Sequence, residues 1–418
     1  MRRLRRLIRF FLVRHRSFTV LTLLFFGALI TAFATGFWLM ARLANVILLA
    51  FPIAYVWSWF NLRGLQVTAE RPNDRLQVGN QFEERISVAN RTWFSKLWLE
   101  VEDLSDLPGH HARRVISLGP RAERSWRTAS ECTRRGLFNV GPVRVTTSDL
   151  LGLFHRTRTF GAVQPVLVYP RAEELPKFWA PPALLAGESR TRRPAYSITP
   201  NAASVREYQP GDSFNRIHWR STARTGELMV KLFELDPASD VWIVLDLFRD
   251  VQAGEGDDST EEHSVRIAAS IARYFLLTSR SVGLVAIGRA LHLAEPERGI
   301  GQYARILEAL AIASAEGDVP LAELLNYEGR RFGRRTTIIV ITPSTDDSWV
   351  GSLQLLAGRG VKMAAIVLEP RTFGGEGNAL FVFGALAAAE IPTYLVKLSD
   401  DLAATLGAGG EARGAPAR

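Results

Sequence analysis

The chain has 418 residues, enough for two or three domains. Apolar residues make up 47% and charged residues 22%, a balance that suits folded domains plus a membrane portion and excludes a disordered polymer. The formal charge is +9, but residues 1–16 carry seven arginines and no acid, which leaves +2 for everything after them. A nucleic-acid binder keeps its basic excess on the folded body, so no nucleic acid is expected as a partner.

Two uncharged stretches follow the basic N-terminus, one between Arg16 and Arg42 and one between Arg42 and Arg63. About 20 apolar residues cross the ~30 Å of a bilayer core, so spans are predicted near Phe18–Thr35 and Phe37–Phe60 with a reversal at Gly36. Trp38, Trp57, Trp59 and Phe60 lie near the predicted ends, where amphipathic aromatics favour the interface. Arg42 must snorkel or shorten the second span. The arginines should hold the N-terminus in the cytoplasm, and two crossings return the chain there. Residues 1–62 are thus expected as a two-helix hairpin in the cell membrane, with the lipid bilayer as a partner and the rest cytoplasmic.

Residues 63–170 read as β-structure. Gln66–Glu70, Phe82–Ala89, Leu97–Val101, Val115–Leu118, Arg124–Ser130 and Val143–Thr147 alternate or are β-rich, with turn residues between them. Roughly seven short strands in this length predict a small β-sandwich, with an immunoglobulin-like one among the options. Thr133–Pro142 and Ser148–Phe154 read as turns closing it. Cys132 is the single cysteine, which excludes an internal disulfide and suits a reducing compartment; no histidine lies near it in sequence to activate it as a nucleophile. The seven histidines show no metal-ligand spacing, and His110-His111, after Pro108-Gly109, reads as an exposed turn.

Residues 171–236 read as a linker, rich in Pro, Ala, Arg and Ser and with Arg190, Arg192 and Arg193 clustered, followed by a denser segment. In that segment Tyr208–Asp212 is a turn. Asp212 or Ser213 would cap a short helix, on which Asp212, Arg216, Arg220 and Arg224 share one face at four-residue spacing. Ile217 and Trp219 point elsewhere as anchors to a core. Gly226 stops the helix, and Leu228–Phe233 is a strand. The arginine face, with Arg206, fits two uses: ion pairs to local acids, or docking of an acidic or phosphate-bearing partner. His218 beside Asp212 is the one place where acid–base chemistry is conceivable, as in a hydrolase. A structural histidine is the plainer use.

From 237 to 402 strands alternate with helices: Val241–Leu245, Glu262–Ser279, Val282–Ile287, Tyr303–Ala313, Thr337–Ile341, Trp349–Leu356, Val361–Leu368 and Thr393–Val396. That order predicts a mainly parallel sheet covered on both faces. Open sheets of this kind bind at the carboxyl ends of their strands, where Asp246 falls. A divalent-cation site there, as in an adhesion domain, would need oxygens that Asp246-Leu247-Phe248-Arg249-Asp250 only partly supplies. The chain has no Gly-Lys pair, so a P-loop is excluded, and HExxH and GxSxG are absent. No cofactor is expected. Residues 403–418 read as a flexible tail.

Arg206-x-Tyr208-x-Pro210-Gly211-Asp212, then Arg216-Ile217-His218-Trp219-Arg220-Ser221-Thr222-Ala223-Arg224, resembles the signature of the bacterial family called domain of unknown function 58. The Arg-Gly stretch at 134–136 and Asp149-x-x-Gly152-Leu153-Phe154 resemble a second motif of that family, with Leu150 where Pro is expected. The resemblance implies a doubly wound von Willebrand factor A-like domain after the sandwich. It also implies work beside a MoxR-type AAA+ ATPase, often with a transglutaminase-like membrane protein, in assembly or envelope-related processes; with no reaction legible in the residues, the chain is expected to be non-enzymatic. The signature is then expected to brace the A-like domain against the sandwich.

Overall fold

The computed structural model describes residues 16–176, 178, 202–209, 217–233, 240–333 and 336–408. The chain divides into two compact units, Met1–Val168 and Tyr169–Arg418.

The first unit opens with helices α1 (Arg16–Thr35) and α2 (Trp38–Leu62), both long and apolar enough to cross a membrane. Gly36, at φ +67°, makes the reversal, a conformation open to glycine because it lacks a Cβ. The hydroxyls of Thr22, Thr31 and Thr35 donate to carbonyls one turn back, so α1 satisfies its own polar groups. The Arg42 guanidinium lies 4.4 Å from the Trp38 ring centroid, reaching one turn back toward the start of α2.

Ten strands follow: β1 (Leu65–Glu70), β2 (Arg75–Gln77), β3 (Gln81–Asn90), β4 (Lys96–Asp103), β5 (Arg113–Leu118), β6 (Glu123–Glu131), β7 (Gly136–Val140), β8 (Val143–Ser148), β9 (His155–Phe160) and β10 (Gln164–Tyr169). They form sheets ordered β1-β3-β6, β2-β10-β7 and β5-β4-β8-β9. Period-2 alternation turns Phe82, Glu84, Ile86 and Val88 of β3 inward. Ile86 and Val88 share a core with Leu99 and Val101 of β4, Ile116 of β5 and Val145 of β8, which makes the unit sandwich-like. Each such side chain contributes about 1.5–3 kcal/mol when fully buried. The segment Thr133–Pro142, read as a turn, contains β7 instead: it pairs with β10 from Val140↔Gln164 to Gly136↔Val168, because cross-strand partners override its turn-rich composition.

The second expected turn is observed and has a purpose. Asp149 is buried, with Oδ2 accepting from Leu151 N (2.9 Å) and Oδ1 from Phe154 N (2.6 Å). That turn aims Phe154 edge-on at Phe18 and Tyr55, so it seats the helical hairpin. Asn61, at the end of α2, donates to Leu97 O (2.7 Å) and accepts from Leu97 N (3.1 Å), mimicking a strand neighbour. Lys96 Nζ donates to Phe60 O; its amine is held below the usual lysine range by burial and meets the negative end of the helix dipole.

In the second unit, β11 (Ala202–Glu207) and β12 (Met229–Phe233) pair antiparallel around α3 (Trp219–Thr225). There follow β13 (Asp240–Asp246), α4 (Thr260–Leu277), β14 (Val282–Ile287), β15 (Leu291–Glu297), α5 (Ile300–Ile312), α6 (Leu321–Glu328), β16 (Thr336–Thr342), α7 (Ser348–Gly358), β17 (Lys362–Leu368), α8 (Leu380–Ala388), β18 (Thr393–Val396) and α9 (Leu402–Ala408). Six strands form one sheet, β15-β14-β13-β16-β17-β18, parallel except for the edge strand β15. Val241, Ile243 and Leu245 of β13 pack with α4, α5 and α9, while Trp242 and Val244 pack with α6, α7 and α8. Both faces of the sheet are therefore covered, which explains its unbroken apolar strands.

Two boundaries move. The tail expected from residue 403 begins with α9, because Leu402 and Leu406 are buried in the core; residues 409–418 lie outside the described residues. The linker expected from 171 starts as packed chain: Leu175 and Phe178 are buried, and Phe178 stacks on Tyr394. Arg190, Arg192 and Arg193 lie outside the described residues.

Candidate functional site

The signature segment is a strand–helix–strand insertion whose ends are tied together. Tyr208 N donates to Leu228 O (2.8 Å) and His218 N to Met229 O (2.7 Å). Helix α3 starts at Trp219, capped by His218, rather than after Asp212 or Ser213. His218 Nδ1 accepts from Ser221 N (3.2 Å) and lies 2.7 Å from Ser221 Oγ, so the imidazole serves as a cap. Gly226 ends the helix at φ +80°, as expected. Gly211, Asp212 and Arg216 lie outside the described residues, and so does the side chain of Arg206, so the expected Asp212–Arg216 and Asp212–His218 pairs are not part of the described geometry.

The anchors separate. Ile217 is 3% exposed and bridges to Val230, but Trp219 is 68% exposed, so it does not anchor the segment in a core. Arg220 and Arg224, one turn apart on α3, are exposed beside it. Among the described residues neither is in an ion pair, whereas Arg266, Arg273, Arg305 and Arg331 of the same unit all are. The described part of this face thus presents cations and an indole outward.

A second constellation sits at the carboxyl ends of the central strands. Strand order runs outward in opposite directions from the neighbours β13 and β16, so their ends flank the crevice where sheets of this kind take ligands. Asp246 ends β13 and Thr342 ends β16. Asp246 is 1% exposed, accepts from Thr342 Oγ1 through Oδ2 (2.6 Å) and from Phe248 N through Oδ1 (3.1 Å). Burial pushes its carboxyl up to about 6, against the pull of those two hydrogen bonds. Thr342 Oγ1 also accepts from Ser344 N (2.9 Å). Both Asp246 oxygens are thus engaged by protein donors. Phe248 supplies no oxygen, and the Asp250 side chain is exposed next to Arg249. Asp257, Asp258, Glu261 and Glu262 lie around the start of α4, where the Ser259 hydroxyl accepts from Glu262 N (3.2 Å) and acids complement the helix dipole.

The sequence reading missed a cluster in the first unit. His110, expected in an exposed turn, is 4% exposed and stands edge-on to Phe82; His111 beside it is exposed. Its Nε2 lies 3.4 Å from Glu84 Oε2 and 3.5 Å from Asp103 Oδ2. Burial alone would lower its pKa, but the two carboxylates outweigh burial and raise it to about 9. Arg71 Nη2 reaches the other oxygens, Glu84 Oε1 (2.7 Å) and Asp103 Oδ1 (2.8 Å). The available signal was Glu84 itself, a carboxylate on the inward row of β3 between Phe82 and Ile86. Cys132 is buried and its thiol is pushed up by burial, which keeps it protonated and unreactive.

Residues 204–373 match the family described as "Protein of unknown function DUF58". An uncharacterized protein of Bacillus subtilis (strain 168), YeaD, is 27% identical over 315 residues, covering 72% of this chain and 75% of that protein. An uncharacterized Mycobacterium tuberculosis protein, Rv1480, is 29% identical over 175 residues; the match spans 54% of its length. Among solved structures, the CARDB domain of a Pyrococcus furiosus protein is similar at 20% identity and a TM-score of 0.19, covering 25% of this chain and 94% of that domain. The likeness to the domain of unknown function 58 family, read first from Arg206–Arg224, is shown by the family match over residues 204–373.

Proposed function

We propose that this protein is a membrane-anchored recognition module that works by binding a protein partner rather than by turnover. The observation that carries the reading is the outward face of α3, where Trp219, Arg220 and Arg224 stand exposed on a segment pinned by Ile217. Exposed arginine and tryptophan are the side chains that most often anchor protein interfaces, and a guanidinium fork selects carboxylate or phosphate groups. The partner class implied by the family resemblance is a MoxR-type AAA+ ATPase, with a transglutaminase-like membrane protein as a further companion. The second unit is classed here as von Willebrand factor A-like and doubly wound; its strand order and the placement of Asp246 support that classification. The arginine-rich N-terminus supports a cytoplasmic location for both units.

The test is crosslinking and pull-down of the full chain from its own membranes, wild type against Arg220→Ala/Arg224→Ala. Wild type should bring down an AAA+ ATPase that the folded double variant loses. Equal recovery by both would overturn the assignment of α3, and recovery of no ATPase by either would overturn the partner class.

A further inference from the structure

We infer that Glu84 Oε2, Asp103 Oδ2 and His110 Nε2 bind one divalent transition-metal ion of the zinc class, which staples β3 to the β4 end of the sandwich-like unit.

Three observations carry this. First, these three atoms are all buried, and each lacks a hydrogen-bond partner. One unsatisfied buried polar group costs about 1–3 kcal/mol, and more when charged, so three facing one another favour a cation between them, a metal ion or a proton on Nε2. Second, the spacing is that of ligands around an ion. The three atoms lie within 4.8 Å of one another. The Nε2 distances of 3.4 and 3.5 Å exceed the ~2.7–3.2 Å of hydrogen bonds. Two ligands at ~2.0–2.1 Å from a tetrahedral zinc ion stand roughly 3.4 Å apart. Third, every ligand is oriented from behind. Arg71 holds Glu84 Oε1 and Asp103 Oδ1, and Ser130 Oγ lies 3.0 Å from His110 Nδ1. With Nδ1–H donating to Ser130, the Nε2 lone pair faces the carboxylates. Such outer partners are what fix the tautomer and pose of metal-bound histidines and carboxylates.

The donor set decides the ion. One imidazole with two carboxylates suits zinc, cobalt or manganese, whereas calcium and magnesium prefer an all-oxygen shell. Three protein ligands leave a fourth position for water. Arg71 offsets one of the two negative charges, which weakens binding relative to a bare carboxylate pair. The competitor is a proton on Nε2, which would complete a charge-balanced quartet with Arg71 and need no metal.

The full chain, purified in detergent, separates the two. Zinc content is measured by elemental analysis after dialysis, melting temperature is followed before and after EDTA, and Co2+ serves as a visible-absorption probe of the stripped protein. One zinc per chain, a melting temperature that falls on chelation and recovers with Zn2+, and a tetrahedral Co2+ band support the site. His110→Ala should lose the ion, and Ser130→Ala, which keeps all three ligands, should weaken Zn2+ binding about 10-fold or more. A wild type whose melting temperature ignores both EDTA and Zn2+, and which gives no Co2+ band, overturns the inference whether or not His110→Ala folds.

Discussion

Thr342 Oγ1 donates to Asp246 Oδ2 at 2.6 Å, joining the ends of the two central parallel strands. The pair closes the crevice with a carboxyl group that burial has pushed up to about 6, from an ordinary 3.8. Between those values the folded chain holds a proton that the unfolded chain releases. The stability linked to that proton is complete below about pH 3.8 and is lost as pH rises through about 6. A shift of this size corresponds to at most ~3 kcal/mol. Asp246→Asn should therefore be more stable than wild type at pH 8, with the advantage shrinking towards pH 4. Urea melts across that range check it, and parallel curves for the two proteins would refute the linkage.

Ile217 and Trp219 make a paired prediction. Ile217→Ala should destabilise the second unit by about 2–5 kcal/mol, since the side chain is 3% exposed. Trp219→Ala, at 68% exposure, should stay within about 0.5 kcal/mol of wild type. Thermal melts of both variants decide it; a large loss from Trp219→Ala would mean that the indole is buried in the working protein.

Gly141 stands at φ +83°, where an added Cβ would lie 2.9 Å from Arg71 Nη1 and 3.0 Å from Ala162 O. Gly141→Ala combines a left-handed backbone, worth about 1–2 kcal/mol, with displacement of the arginine that orients Glu84 and Asp103. Denaturant melts should show a loss larger than the backbone term alone. A loss no larger than the ~1–2 kcal/mol of the backbone alone would show that Arg71 moves aside freely.

Asn61→Ala removes both bonds to the Leu97 backbone, one to its C=O and one from its N–H, as well as the bond to Thr147 Oγ1 (2.5 Å). Leaving those partners unsatisfied should cost about 1–3 kcal/mol for each group that water cannot reach. Amide exchange should speed up at Leu97 first, and unchanged protection there would argue that Asn61 is a bystander.

What the sequence made legible follows from how far each signal reaches. The apolar runs up to Phe60 mark helices by length alone, and the buried strands from Val241 to Val396 announce themselves as apolar runs. Gly226 marks a helix end because left-handed backbone favours glycine. Strands β7 and β10 escaped notice because they pair with each other across more than 20 positions, and β9, though it pairs locally with β8, because its His-Arg-Thr-Arg run lacks an apolar alternation. The start of α3 was misplaced because Asp212 and Ser213 are the stronger capping types, while His218 caps through a ring nitrogen. The His110 cluster was invisible for a different reason: Arg71, Glu84, Asp103 and His110 are spread over 40 positions, and only the alternation of β3 betrays one of them.

Only Arg63 and Gly64 separate the end of α2 from the start of β1, and Lys96 and Asn61 lock that junction. There is no slack for a swivel. The 25 residues of α2 extend about 38 Å at 1.5 Å per residue, longer than the ~30 Å hydrocarbon layer. In a bilayer, a change in thickness that tilts this rod must swing the whole ten-stranded body with it, making the sandwich a headpiece on a stiff lever that leans as the membrane leans.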